Sequence, residues 1–88
     1  LFEPQIYNDS RGSFYESWRD NAYKTYGIKE IFVQDNISIS MKNVLRGLHY
    51  QHNQGQLVTV ISGRIFDVAA DIRPTSPTYG KYFALELW

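Results

Sequence analysis

Eighty-eight residues make at most one small domain, and a chain that short buries only a modest share of its surface, so it needs support from further chain or a partner. Nine basic side chains cancel nine acidic ones, which excludes a nucleic-acid binder driven by bulk charge and makes any anion site local. With no cysteine, disulfides and thiolate metal sites are excluded too; no apolar run approaches membrane-spanning length and no charged-then-apolar leader is seen, so a soluble, cytoplasmic protein with no membrane partner is expected. Seven tyrosines, five phenylalanines and two tryptophans suit sheet and interface surfaces and argue against disorder.

No linker, repeat or low-complexity tract divides the chain, and residues 1–88 read as a single domain. Leu1 to Tyr7 predicts a first strand, and Asn8-Asp9-Ser10-Arg11-Gly12 predicts a turn. From Glu16 to Tyr26, Trp18, Ala22 and Tyr26 recur every four residues and Gly27 follows as a cap, which predicts one short helix. A strand begins at Ile31, and from Gln34 to Met41 the alternation is strict: Gln34, Asn36, Ser38 and Ser40 on one face, Ile37, Ile39 and Met41 on the other.

Val44–Gln51, Leu57–Ser62, Arg64–Arg73 and Lys81–Trp88 read as further strands, separated by breaks rich in Gly, Asn and Pro. Short strands after one helix predict a mainly β, antiparallel barrel or sandwich. In Arg64–Arg73, Phe66, Val68, Ala70 and Ile72 share one face, and Asp67, Ala69 and Asp71 the other. A solvated sheet face and a barrel interior lined with working carboxylates both fit that pattern. The chain opens on Leu1 rather than Met and stops at Trp88 within an apolar alternating run, so a fragment is expected.

The most informative stretch is Asn43-Val44-Leu45-Arg46-Gly47-Leu48-His49-Tyr50-Gln51, where a guanidinium and an imidazole stand three positions apart on an otherwise apolar strand. Imidazole exchanges protons near neutral pH and guanidinium grips phosphate with paired hydrogen bonds, so the pair suits a phosphorylated or nucleotide-linked substrate; a satisfied structural histidine is the competing reading. Their odd spacing puts Arg46 and His49 on opposite faces of a regular strand. Either Gly47 kinks the strand, or the two serve different sites.

Five segments in order carry a family resemblance: Asp9-Ser10-Arg11-Gly12-Ser13-Phe14-Tyr15-Glu16, Phe32-Val33-Gln34-Asp35-Asn36, the Asn43–Gln51 stretch, Gly63 through Arg73, and Ser76-Pro77-Thr78-Tyr79-Gly80. Together they resemble the dTDP-4-dehydrorhamnose 3,5-epimerases, nucleotide-sugar isomerases with a cupin-like antiparallel jelly roll. The resemblance implies that the chain is an incomplete N-terminal portion of such a jelly roll, from a homodimeric parent acting in dTDP-rhamnose and polysaccharide biosynthesis. It implies that His49 is the base removing the proton beside the sugar's 4-keto group, and that Asp67 belongs to the catalytic network. Arg11 and Arg46 are implied as cations contacting the nucleotide-sugar, Glu16 as a substrate contact reaching in from the neighbouring subunit, and Gln34, Asp35 and Asn36 as a binding segment.

Such chemistry needs a base, a proton donor across the ring and stabilisation of an enolate oxygen, but no cofactor. No dinucleotide fingerprint is present, and His49 with His52 makes a poor ligand set, so no metal is expected. Three departures stand out. Gln56 occupies the place of a family lysine before Leu57-Val58, so a neutral amide takes a substrate-side role; the His49–Gln56 segment is short; and the family's tyrosine acid and the acidic partner of its base belong to a C-terminal half outside these residues. Three readings follow: the 3,5-epimerase, a relative inverting one carbon or using another sugar, and a non-catalytic sugar-nucleotide-binding jelly roll.

Overall fold

Local turn chemistry closes the first element pair. The computed structural model describes all residues, Leu1–Trp88, and the chain divides into two compact units, Leu1–His49 and Tyr50–Trp88. In the first unit β1 (Ile6–Asp9) pairs antiparallel with β2 (Gly12–Tyr15), from Ile6↔Tyr15 to Asp9↔Gly12, which leaves Ser10 and Arg11 as a two-residue loop. The Asp9 carboxylate accepts the Arg11 backbone N–H at 2.8 Å, and Gly12 sits at φ 130°, where only glycine is unstrained. Across the ladder the Ser13 hydroxyl donates to Asn8 Oδ1 at 2.6 Å. The ladder therefore runs into residues expected as turn, while Leu1–Gln5, expected as strand, lies outside it. Pro4 lacks an N–H to give, and β2 ends before it could serve as partner.

The expected helix is shorter than its sequence period. α1 covers Asp20–Thr25, with Arg19 extended at the N-cap and making no side-chain cap bond. Glu16 is engaged instead by the Arg19 guanidinium at 2.8 Å, so residues 16–19 satisfy each other outside a helix. Lys24 pairs with Asp20 at 2.6 Å, one turn apart. The Gly27 N–H donates to Lys24 O at 3.0 Å and the Ile28 N–H to Tyr23 O at 3.2 Å, with Gly27 at φ 89°. This is a Schellman closure, as the glycine after the helical period predicts.

Aromatic contacts hold α1 where a buried core does not. Trp18 stacks on Tyr23 at 4.4 Å and meets Phe32 edge-on at 5.2 Å, while Phe2 lies 5.0 Å from Tyr23 and 5.2 Å from Tyr26. No side chain in the chain is buried.

In the second unit β3 (Ile65–Ala70) pairs antiparallel with β4 (Tyr82–Leu87), from Ile65↔Leu87 to Ala70↔Tyr82. Reciprocal backbone bonds at 2.8 Å, Asp71 N–H to Lys81 O and Gly80 N–H to Asp71 O, close the 71–81 loop. Both strands are trimmed versions of Arg64–Arg73 and Lys81–Trp88. Gly63 at φ 91° precedes β3, and after it Asp71 turns its side chain back onto its own loop.

Three expected strands are absent: Ile31–Met41, Val44–Gln51 and Leu57–Ser62 carry no ladder. Their alternation describes a two-faced ribbon, but a ladder also requires a neighbour, and none pairs with them. The punctuation between them is present. Asn43 and Asn53 take positive φ of 65° and 56° in turns, in keeping with the tolerance of Asn for that region.

Candidate functional site

Of the candidate residues, the first unit holds Arg11, Glu16, Gln34, Asp35, Asn36, Arg46 and His49, and the second holds Gln56 and Asp67. Within the first unit no hydrogen bond or ion pair links Arg11, Glu16, Arg46 and His49 to one another. Each polar group except His49 has a partner of another kind.

The arginines separate into two classes by partner. Arg11 meets Asp9 at 2.6 Å, Arg19 meets Glu16 at 2.8 Å, Arg73 meets Asp71 at 2.9 Å and Arg64 lies 3.8 Å from Glu86. The Arg11 guanidinium, helped by the Arg11 N–H, holds Asp9 below the usual carboxylate range, and Asp9 in turn raises Arg11. Arg46 alone faces no carboxylate. Its Nε–H donates to Ser40 Oγ at 2.8 Å and Nη2 to the Ile39 carbonyl at 3.4 Å. Both partners are neutral, so the positive charge is undiminished, and three of the five guanidinium N–H groups remain free. An oriented, uncompensated cation is what an anionic ligand requires.

Between Arg46 and His49 the chain is irregular. Gly47 lies at φ 123°, and a Cβ there would meet nothing closer than the His49 N at 3.8 Å, so backbone conformation and not space calls for glycine. Val44–Gln51 carries no strand, so strand parity does not set Arg46 and His49 on opposite faces. His49 is exposed and makes no hydrogen bond, which leaves both ring nitrogens open to a ligand. Upstream, the Gln34 amide donates to Asn36 Oδ1 at 3.1 Å, so these two side chains come together as their shared face predicts; Asp35, between them, is exposed.

In the second unit Asp67 is half-buried and opposite Leu85. Directly paired residues share a face, so Asp67 stands with Ile65, Ala69, Phe83, Leu85 and Leu87. Glu86 and Arg64 belong to the other face, where the Arg64 guanidinium also lies 5.9 Å from the Trp88 ring centre. Ile65 and Phe83 on that face are exposed, so Asp67 lies on an apolar strand face that is open to solvent in this chain. Gln56 is exposed and forms no hydrogen bond.

Sequence reasoning missed the role of Asp71. Its carboxylate takes a bidentate pair from Arg73 at 2.9 Å, the Ser76 hydroxyl at 2.6 Å, the Thr78 hydroxyl and the Arg73 N–H at 3.0 Å. Arg73 first, then the two hydroxyls and the N–H, hold Asp71 far below the usual carboxylate range, and Asp71 raises Arg73. The available signal was the Asp-x-Arg and Ser-x-Thr spacing across a proline-containing loop.

With this geometry, the chain matches the family profile of dTDP-4-dehydrorhamnose 3,5-epimerase over residues 1–88. The chain belongs to this family. It is 50% identical over 91 residues to the epimerase of Shigella flexneri, covering 99% of this chain and 50% of that protein. To the epimerase of Methanothermobacter thermautotrophicus it is 47% identical over 89 residues, 99% of this chain and 48% of the relative. The chain thus spans about half the length of the curated relatives it matches.

Among solved structures, the dTDP-6-deoxy-D-glucose-3,5-epimerase of Legionella pneumophila, in complex with dTDP-4-keto-L-rhamnose, superposes with a TM-score of 0.89 at 55% identity, over 97% of this chain and 47% of that one. The dTDP-4-dehydrorhamnose 3,5-epimerase of Bacillus anthracis, with TDP and PPi bound, gives 0.85 at 35% identity, over 97% of this chain and 51% of that one. The expected fold, mainly β and cupin-like with one short helix, is borne out: this chain takes the backbone path of the corresponding part of these epimerases. No helix in it is long and apolar enough to cross a membrane.

Proposed function

We propose that the protein carrying this chain epimerises a nucleotide-diphosphate 4-keto-6-deoxy sugar of the dTDP-4-dehydro-6-deoxyglucose type at the carbons beside its ketone, in dTDP-rhamnose biosynthesis. The observation that carries this reading is the match to the Legionella epimerase, at 55% identity over 97% of the chain, in a structure holding dTDP-4-keto-L-rhamnose. In this reading the 88 residues are one portion of a homodimeric, cytoplasmic jelly-roll enzyme.

A hydrogen on carbon beside a ketone is acidic because the electron pair left behind spreads onto oxygen as an enolate. His49, with both ring nitrogens unengaged, removes that proton. Reprotonation from the opposite ring face inverts the carbon. Gln56 donates an amide N–H toward the enolate oxygen, and Asp67, on its apolar strand face, belongs to the proton-handling network. The free N–H groups of Arg46 bind the diphosphate, with Arg11 as a second cation once it shares its charge between Asp9 and the ligand. Gln34, Asp35 and Asn36 contact the nucleotide-sugar, and Glu16 does so across the dimer. The chemistry uses no metal and no cofactor.

Deuterium wash-in tests the reading. Incubated in heavy water with dTDP-4-dehydro-6-deoxyglucose, the full-length protein incorporates deuterium at two ring carbons. Incorporation at none, with this sugar or with any other 4-keto-sugar nucleotide, would establish a non-catalytic binding module. Gln56, an amide where the family has a lysine, favours the second reading, a one-carbon or different-sugar epimerase; a single deuterium, or none with this sugar and exchange with another, would select it.

A further inference from the structure

The contact on Arg46 reaches beyond the ligand residues themselves. Guanidinium groups in this chain are otherwise held by carboxylates, which orient the fork and also neutralise it. At Arg46 the orienting partner is a hydroxyl. Ser40 Oγ takes Nε–H at 2.8 Å from six residues upstream, across the turn in which Asn43 adopts φ 65°, and the Ile39 carbonyl lies 3.4 Å from Nη2. The edge of the fork carrying Nε is thereby tied to the 39–40 backbone, and both protons of Nη1 with the second of Nη2 project as the open edge.

We infer that Ser40 is a positioning residue, a neutral hydroxyl that aims the Arg46 guanidinium at the diphosphate without spending its charge. The inference rests on the reading of Arg46 as a diphosphate contact. A long, exposed arginine has many rotamers, and fixing it before the ligand arrives lowers the ordering cost paid on binding. A carboxylate in place of Ser40 would fix the fork equally well but would compete with phosphate for it, as Asp9 does at Arg11.

The test is calorimetric binding of thymidine diphosphate to the full-length protein. Ser40→Ala is expected to weaken binding by about three- to tenfold, the size of one net hydrogen bond. Ser40→Thr, which keeps the hydroxyl, restores it. In an Arg46→Ala background Ser40→Ala adds no further loss, because the group it positions is gone. The deficit also falls on KM more than on kcat. Unchanged affinity in Ser40→Ala beside a clear loss in Arg46→Ala overturns the positioning role and leaves the Arg46 contact standing, as does an equal Ser40→Ala effect in both backgrounds. No loss in Arg46→Ala overturns the placement of Arg46 in the proposed site, and the inference with it.

Discussion

The β3–β4 hairpin and the stretch from Ile31 to Ser62 share one kind of sequence, alternating apolar and polar residues, yet only the hairpin forms a ladder. In the hairpin the partner strand is delivered by an 11-residue connection, 71–81, that closes on itself: Asp71 exchanges backbone bonds with Gly80 and Lys81 while its carboxylate gathers Arg73, Ser76 and Thr78. In the stretch from Ile31 to Ser62 the turns at Asn43 and Asn53 form, but no ladder joins the segments they separate. Alternation specifies two faces; a local closing device specifies the pairing. Most candidate site residues, Gln34 through Gln56, lie in the unladdered stretch, where single side-chain contacts such as Gln34–Asn36 and Ser40–Arg46 set local geometry.

That contrast is open to attack by mutation, and the largest effect belongs to the unladdered stretch. In the full-length protein His49→Asn is expected to lower deuterium incorporation by about two to four orders of magnitude while thymidine diphosphate still binds. Asp67→Asn, on the ladder, is expected to cost less. Equal losses at the two positions would put the chemistry on the hairpin as much as on the irregular segment and break the comparison.

Gln56 comes next. If its amide has inherited the enolate contact, Gln56→Ala reduces exchange by about two to three orders of magnitude, and Gln56→Lys, with a charged donor, matches or exceeds the unmodified protein. A small effect from Gln56→Ala would move that role elsewhere and turn attention to the short His49–Gln56 segment and another sugar.

A third contrast lies between two arginines. Arg46→Ala is expected to weaken thymidine diphosphate binding about ten- to hundredfold, since a free guanidinium makes charge-assisted bonds. Arg11→Ala should cost less because Asp9 already holds that cation, and Asp9→Asn should strengthen binding slightly by releasing it. Titration of the three variants checks the order, and an Arg11→Ala loss exceeding that of Arg46→Ala reverses it.

What could be read from the sequence follows the same division. Turn residues act locally, so the Asp9–Gly12 loop, the Gly27 cap and the Asn43 break were legible. So were β3 and β4, whose alternation and intervening Pro, Ser, Thr and Gly carry both the faces and the connection. The helix was overextended because its period says nothing of Glu16 being taken by Arg19. Within the candidate site, Arg46 and His49 stood out as polar groups on an apolar segment. Ser40 did not, because a hydroxyl six positions away signals nothing through periodicity; only the folded turn brings it to Arg46. The cross-strand neighbours of Asp67 were likewise not legible until the register set Phe83, Leu85 and Leu87 beside it.

The smallest effect tests the closing device itself. Because Arg73 above all, then Ser76, Thr78 and the Arg73 N–H, favour the ionised form, the Asp71 carboxyl titrates lower in the folded loop than in an unfolded chain. A lowered folded value means stabilisation that is complete above the ordinary aspartate value near 4 and is lost as pH falls through the lowered one. Loop opening should therefore be indifferent to Asp71 between about pH 5 and 8, then grow by at most about tenfold per pH unit below about pH 4, the slope of one proton. Protection factors of the Asp71 and Gly80 amides, corrected for intrinsic exchange, report that opening directly because these N–H groups close the loop. Asp71→Asn should raise opening at neutral pH and flatten its acid dependence, while Ser76→Ala and Thr78→Val each keep the slope and shift it less. An acid slope unchanged in Asp71→Asn would mean that another group sets the loop's pH response, and that the hairpin's pairing is secured by its ladder alone.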